Sequence, residues 1–444
     1  MKPADVIVVG AGAAGLAAAG RLTASGARVT VLEARDRIGG RILTHAELAD
    51  DAAIELGAEF VHGRAPEILE VARRGGLHLR EIQGEAWMSR EGQLRPADDF
   101  FQAESDVFER LKNFAGRDRS FRQFLEEHCG DLPPESRLWA TSYVEGFHAA
   151  HADRISARSV GEGEKAEEAI DGDRQFRIAG GYARVANALR AEIDPALASL
   201  HLRHVVTEVD WSGAEVKVHA RARQGHASFT AKAAIITLPL SLLQAAHDER
   251  GAVHFTPDLN AKRAALAQLE MGHVVRVGLR FRKAFWRELP ADAGDRSPER
   301  MTFLFASERE IPTWWTAAPS RAPLLTGWAA GPKAERFSGR AAEDIQAAAI
   351  RELAAAVTLP SERISGRLEA CYYHDWQEDP FSRGAYSYVL AGGAETAQKE
   401  LAQPLAGRLY FAGEATRSDG HHSTVHGAIG SGWRAAAEVA DFLR

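Results

Sequence analysis

The sequence predicts a mixed α/β fold built around a Rossmann-type parallel sheet, and three observations carry that reading. Near the start, "DVIVVGAGAAGLAAAGRLTASGARVTVLEAR" reads as strand, tight turn, helix and strand. Strand-type and helix-type patterns then alternate along the chain. Near the end, "FAGEATRSDGHHSTVHGAIGSGWRAA" passes from a strand through a polar loop into a helix carrying Gly427, Gly430 and Gly432.

The first motif is the most informative. Val6 to Val9 form an unbroken β-branched run, the pattern of a strand buried on both faces. Gly10, Gly12 and Gly15 follow as GxGxxG. The first glycine allows the turn, the second lets backbone approach a pyrophosphate, and the third lets helix and sheet pack closely. The helix start offers free N–H groups and the positive end of a dipole to phosphates. Glu33 closes the second strand, 18 residues after Gly15, and suits ribose hydroxyls. Together these features predict a bound dinucleotide. The continuation "EARDRIGGRILT" adds Gly39 and Gly40, which let the loop pass close to a ligand, and Arg41, which can pair with pyrophosphate oxygens. That extension is similar to FAD proteins and unlike simple NAD dehydrogenases. No second GxGxxG is present, so electrons are expected from an organic substrate rather than a nicotinamide.

Composition narrows the class. The 444 residues, 45% hydrophobic and 26% charged, suit a globular protein with two or three domains' worth of core. A formal charge of −7 argues against tracking nucleic-acid phosphates. No run is apolar enough for a membrane span, and no cleavable signal precedes the first strand, so a cytoplasmic location is expected. Cys129 and Cys371 are too far apart in sequence for a CxxC pair or a thiolate cluster.

The remaining elements read as follows. "GAEFVHG" (57–63) is a glycine-bounded turn, and residues 65–157 read as largely helical, with charged faces such as "ESDVFERLKNF". A glycine turn at Gly180 and Gly181 starts another helix. "LHLRHVVTEVDWSGAEVKVHARA" alternates at period two around a hairpin signal at Ser212-Gly213. "AKAAIITLPLSLL" is a buried strand ending at Pro239, and "HVVRVGLRFRKAFW" and "LLTGWAAG" are further strands. "AAEDIQAAAIRELAAAV" is an amphipathic helix, "RLYFAGEAT" the last strand, and Leu289–Arg300 a solvated loop. The glycines of the last helix admit two readings. They let it lie against a flavin ring and the sheet, or they let it pack on another helix through small residues. Its start, near Thr424, aims N–H groups at the flavin edge that is anionic when reduced.

"GAGAAGLAAA", "LEARDRIGGR", "GAEFVHG", "VVTEVD", "TLPL", "WQEDPFSRGAYSYV" and "FAGEAT…TVHGAIGSG" together resemble the flavin-dependent amine oxidases, a family that includes monoamine oxidases, polyamine oxidases and lysine-specific histone demethylases. The likeness runs from Val6 to Ala436, and "TVHGA" is nearest the demethylase branch. The long helical insertion and N-terminal module of that branch have no room here, which implies a compact oxidase. The resemblance implies an FAD-binding domain (1–76, 178–267 and 384–444) interleaved with a substrate domain of mixed sheet and helices (77–177 and 268–383). It implies non-covalent FAD, since Ala385 and no cysteine precedes Tyr386. The expected cofactor contacts are Gly10, Gly12, Ala14, Gly15, Glu33, Ala34, Arg35, Gly39, Gly40, Arg41, Gly57, Ala58, Glu59, Val206 (its backbone on the adenine), Gly413, Glu414, Thr424 and Val425.

In the family, a neutral amine gives hydride from its α-carbon to flavin N5, and the resulting imine hydrolyses. Electrons then pass usually to oxygen, giving hydrogen peroxide. The implied reaction-site residues are Trp376, Tyr386, His62, Thr424 and Arg276. Arg276 replaces the usual lysine of "G-x-x-x-K". It can hold the same water at N5, bind a substrate carboxylate, or reduce reactivity with oxygen. Thr424 stands where many members carry a second aromatic. Tyr388 shares a strand face with Tyr386 and also reads as core. His62 reads equally as a substrate contact titrating near neutral pH or as a structural histidine. Glu59 and Glu145 read as ordinary surface or ion-paired carboxylates, or as partners for the second amine of a polyamine. His421 and His422 have no partner at a recognisable ligand spacing, so no metal is expected. The implied partners are a small amine and oxygen or another acceptor. A carbon–carbon desaturase or porphyrinogen-type oxidase on the same fold, or a flavoprotein without activity, remain as alternatives.

Overall fold

The computed structural model describes residues 3–48, 52–90, 92–97, 106–291 and 296–444. Val6–Val9 lies at the centre of a parallel sheet ordered Ala198–His201, Val29–Leu32, Val6–Val9, Ala233–Ile236, Leu409–Phe411. Its two faces are covered differently. Val6 and Val8 pack into a core with Leu16, Leu22, Ile429 and Val439, from the helices Ala13–Ala24 and Val425–Leu443. Ile7 and Val9 pack with Val209, Val218 and Phe255, from a second sheet ordered Gly225–Ala231, Val216–Ala222, Val205–Asp210, His254–Thr256. Burial on both sides is why the central strands read as unbroken apolar runs.

The last helix crosses the first. A Cβ at Gly432 would fall on the Ala14 carbonyl, one at Gly427 on the His421 carbonyl, and one at Gly430 on the Arg417 guanidinium. None of the three glycines lines the cavity described below. The reading in which they clear a flavin ring is therefore corrected: they permit close approach of protein to protein. Gly432→Ala tests this. Helix propensity favours alanine by ~1 kcal/mol, yet the new methyl meets backbone that cannot swing aside. We expect a net loss of about 1–3 kcal/mol, read as a lower melting temperature.

A third sheet is ordered Leu368–Tyr373, Val274–Phe281, Leu324–Ala330, Thr313–Thr316, Met301–Phe305, Glu85–Arg90, Gln93–Pro96. Helix Ala342–Ala356 supplies Ile345, Ala349 and Leu353 to its core beside Val277, Leu279 and Trp314. The largely helical reading of 65–157 fails here, because Leu79–Glu81, Glu85–Arg90 and Gln93–Pro96 are strands. Their charged residues hid the alternation, and Gly92, at φ +78°, makes the hairpin turn. Helices do follow at 106–112, Phe121–His128, Pro134–Phe147 and Ala157–Ala169. They share a core containing Phe121, Phe124, Val144 and Val160. Within Leu289–Arg300, read as a loop, Pro298–Arg300 is a 3-10 turn capped by Ser297, while 292–295 lie outside the described residues. Residues 104–105 of the "ESDVFERLKNF" helix also lie outside them. No helix among the described residues is long and apolar enough to cross a membrane.

Candidate active site

A cavity of about 850 Å³ runs past the C-terminal ends of the parallel strands, touching Val9, Leu32, Thr237 and Gly413. Of the residues expected at the cofactor and the reaction site, all line it except Gly15. Gly15 instead seats the first helix on the turn, since a Cβ there would strike the Gly10 carbonyl.

The cradle is built by conformation and by missing side chains. Gly10 has φ +107°, a region that L side chains disfavour. Gly12 is the N-cap of Ala13–Ala24 and provides no capping side chain, so the first-turn N–H groups are free for a ligand. A Cβ on Gly12 would meet only the Gly40 Cα, at 3.9 Å, so protein packing alone does not demand glycine there. The buried Glu33 accepts hydrogen bonds from the Ala11 N–H (2.9 Å) and the Arg35 N–H (2.8 Å), which fixes the turn around its carboxylate. Arg35 donates to Asp379 (2.8 Å) and Ser382 (2.9 Å).

A second helix start faces the same space. Thr424 caps Val425–Leu443: its hydroxyl accepts from the Gly427 N–H (2.9 Å) and donates to the His421 carbonyl (2.7 Å). Val425, His426 and Ala428 line the cavity beside it. The buried Glu414 accepts from Arg41 Nη1 (2.9 Å), Ser387 Oγ (2.6 Å) and the Ser423 N–H (3.2 Å). Arg41 Nη1 also donates to the Ala385 carbonyl (2.7 Å), so the Arg41–Glu414 pair joins the two ends of the chain at the cavity. Two helix N-termini opening on one cavity, with no side chain barring Gly12, fit an extended ligand that carries phosphates. FAD is such a ligand.

The other end of the cavity is aromatic and acidic. Trp376 donates from Nε1 to the Leu56 carbonyl (2.6 Å) and meets His374 edge-on, with ring centroids 4.3 Å apart. Tyr386 donates to the Phe147 carbonyl (2.7 Å), and burial holds its phenol above the ordinary range. Tyr388 does not line the cavity; it packs in the helical core and donates to Glu270 (2.7 Å). His62 stands edge-on to Phe147 at 5.5 Å. Burial pushes it down to about 4, so the reading in which it titrates near neutrality is overturned.

Arg276 is tied into a buried ionic network. Its Nη1 donates to the Gly57 carbonyl (2.8 Å) and its Nη2 pairs with Glu59. Arg177 pairs with the other Glu59 oxygen, and Trp315 Nε1 donates to Glu59 (3.0 Å). Burial pushes Arg276 down to about 10 and Arg177 to about 9, so both are cations at neutral pH. Within this network, Arg276 Nε has no partner among the described residues. Glu59 is thus no surface carboxylate; it neutralises charge between two arginines. Neither Arg177 nor Trp315 belongs to a motif, and only their convergence in space marks them.

The acidic wall is equally silent in sequence. Glu164 and Glu167, one turn apart on Ala157–Ala169, line the cavity with Asp173. Burial, Glu167 and Asp173 push Glu164 up to about 7, and burial with Asp173 pushes Glu167 up to about 7. In sequence they look like the solvated face of a helix. Glu145 also lines the cavity, with burial raising its carboxyl. Buried His148 Nε2 and His422 Nδ1 have no partner among the described residues, and both residues line the cavity. His421, which has no partner at a recognisable ligand spacing in the sequence, stands beside His426 and Glu167.

Comparison with known proteins agrees with this architecture. The sequence model described as "flavin containing amine oxidoreductase" matches residues 13–440. The chain is 28% identical to polyamine oxidase 4 of Oryza sativa subsp. japonica, covering 98% of this chain and 88% of that one. It is 29% identical to lysine-specific histone demethylase 1B of Mus musculus, covering 99% of this chain and 53% of that one. Among solved structures, a cyclohexylamine oxidase from Brevibacterium oxydans superposes with a TM-score of 0.79 at 23% identity, covering 99% of each chain. A putrescine oxidase bound to putrescine gives 0.79 at 22% identity, over 98% of this chain and 99% of that one. With its cradle suited to FAD and a family match across nearly its whole length, the chain belongs to the flavin-containing amine oxidoreductases.

Proposed function

We propose that the protein oxidises a small amine or polyamine at the carbon bearing nitrogen, giving an imine that hydrolyses, with oxygen or another acceptor taking the electrons. The observation that carries this reading is one continuous cavity joining the glycine cradle at Gly12 to the aromatic and acidic wall at Tyr386 and Glu164. Bound FAD supplies the hydride acceptor; the rest of the catalytic task is positioning. Trp376 and Tyr386 hold the carbon chain, each fixed by its hydrogen bond to backbone. The neutral His62 and the aromatic surroundings favour the uncharged amine. The interleaved domain division supports the same site, since the parallel sheet draws its strands from 1–76, 178–267 and 384–444, and the third sheet from 77–177 and 268–383.

The relatives named polyamine oxidase and putrescine oxidase favour a substrate with two cationic ends. Glu164 is the carboxylate we place at the distal ammonium. Glu164→Gln should raise KM for a diamine at least about tenfold, the equivalent of ~1.4 kcal/mol, and change KM for a monoamine of equal length far less. Its pH signature is separate. Because its folded pKa, about 7, is raised, the native state binds the proton between the ordinary carboxylate range and pH 7, and stability falls as pH rises through that window. The amide should therefore raise the melting temperature at pH 8 and leave it unchanged at pH 4.

The general test is anaerobic mixing with separate amines, polyamines and amino acids, following the oxidised-flavin band. Bleaching by one class establishes the reaction and names that class. An FAD-loaded protein that no amine bleaches would point to carbon–carbon desaturation.

A further inference from the structure

His421 and His426 are separated by five positions, yet the loop and the first turn of the last helix bring their rings together. His421 Nδ1 and His426 Nε2 are hydrogen-bonded at 3.3 Å, with ring centroids 5.0 Å apart. A carboxylate oxygen of Glu167, from the distant helix Ala157–Ala169, joins them, and the three ligand atoms all lie within 4.8 Å of one another. We infer that Glu167, His421 and His426 form a binding site for a divalent first-row transition ion, with Zn²⁺ preferred.

The geometry supports this. Bonds of about 2.0–2.1 Å to a tetrahedral ion place two imidazole nitrogens ~3.3 Å apart, which is the separation found. The Glu167 carboxylate makes no hydrogen bond or ion pair within the described residues, so the site holds an acceptor with no other employment. The nearby cation Arg417 is offset by Glu67 and Asp419, each at 2.8 Å. Two imidazoles and one carboxylate suit zinc, nickel or copper; calcium and magnesium prefer all-oxygen sets. Two other histidine pairs are in contact, His201 with His204 and His247 with His254, but among the described residues only this pair has a carboxylate within reach. Glu167 and His426 line the cavity, so the site borders it. A bound ion would tie the helix bearing Glu167 to the loop and helix that follow Gly420.

The site is independent of the amine reading, and its test reads metal rather than turnover. FAD-loaded protein, stripped with chelator and dialysed, is titrated with Zn²⁺ against a chromophoric chelator. We expect one equivalent to bind. His421→Gln and Glu167→Gln should each weaken binding at least about tenfold, since losing even an outer-shell partner of a metal costs about 10–100-fold. His254→Gln, in the pair without a carboxylate, should bind as the parent does. Zinc should raise the melting temperature of the parent and not that of Glu167→Gln. Equal zinc binding by parent and Glu167→Gln would overturn the proposal, as would loss of binding in His254→Gln. If His421→Gln fails to retain FAD, the near-isosteric Glu167→Gln decides.

Discussion

Gly12→Val should yield a folded protein without FAD. The position has φ −74°, so valine meets no backbone strain, and the closest protein atom to a new Cβ is the Gly40 Cα at 3.9 Å. Gly12 lines the cavity and is the N-cap of Ala13–Ala24, so a valine there is expected to crowd a ligand at the first-turn N–H groups. Blocking a phosphate from those donors removes several charge-assisted hydrogen bonds, each worth about 1.5–3 kcal/mol. FAD affinity should fall more than about 100-fold, equivalent to ~2.8 kcal/mol. The purified variant should be colourless, keep its far-ultraviolet dichroism, and gain no melting temperature when FAD is added. Gly15→Ala is the contrast: its methyl strikes the Gly10 carbonyl, so it should lower stability whether or not FAD is present. A yellow Gly12→Val would remove the glycine cradle as the pyrophosphate site.

The contrast between these glycines shows what the sequence could carry. Gly10, Gly12 and Gly15 have fixed spacing because one turn and one helix start impose it, so the local chemistry is legible from one segment. Gly427, Gly430 and Gly432 also look like ligand glycines, but each abuts a chain segment that no local pattern reveals. The parallel sheet was legible through its apolar runs. Glu85–Arg90 and Gln93–Pro96 were not, because Arg90 and Gln93 at the hairpin end are exposed and polar. Site residues divide in the same way. Trp376, Tyr386 and Arg276 sit in recognisable stretches, whereas Glu164, Arg177 and Trp315 gain meaning only when distant elements converge.

The largest loss of stability is expected from Glu59→Gln. The Glu59 carboxylate is the shared acceptor for Arg276, Arg177 and Trp315; it is buried with Arg276, and Arg177 is partly buried. An amide keeps the shape and removes the charge, leaving the buried Arg276 and the partly buried Arg177 without their counter-ion. Breaking a buried pair in this way costs about 3–5 kcal/mol. The nearby Glu55 cannot take over. Burial raises its carboxyl, and its oxygens already accept from the Tyr182 N–H (2.6 Å) and Thr44 Oγ1 (2.7 Å). Arg276→Lys should cost less. An ammonium preserves charge against Glu59 but cannot reach Glu59 and the Gly57 carbonyl with the same fork, so a loss of about 1–3 kcal/mol is expected. Arg276→Met should be milder than Glu59→Gln, since Arg177 and Glu59 then form a balanced pair. Urea denaturation of the three FAD-loaded variants measures the order. If Glu59→Gln is the most stable of the three, Glu59 is not the counter-ion of this network. Stopped-flow kinetics adds a functional reading. Because Arg276 lines the cavity, Arg276→Lys should alter flavin reoxidation by oxygen more than reduction by amine. Unchanged reoxidation would confine Arg276 to holding the fold around Glu59.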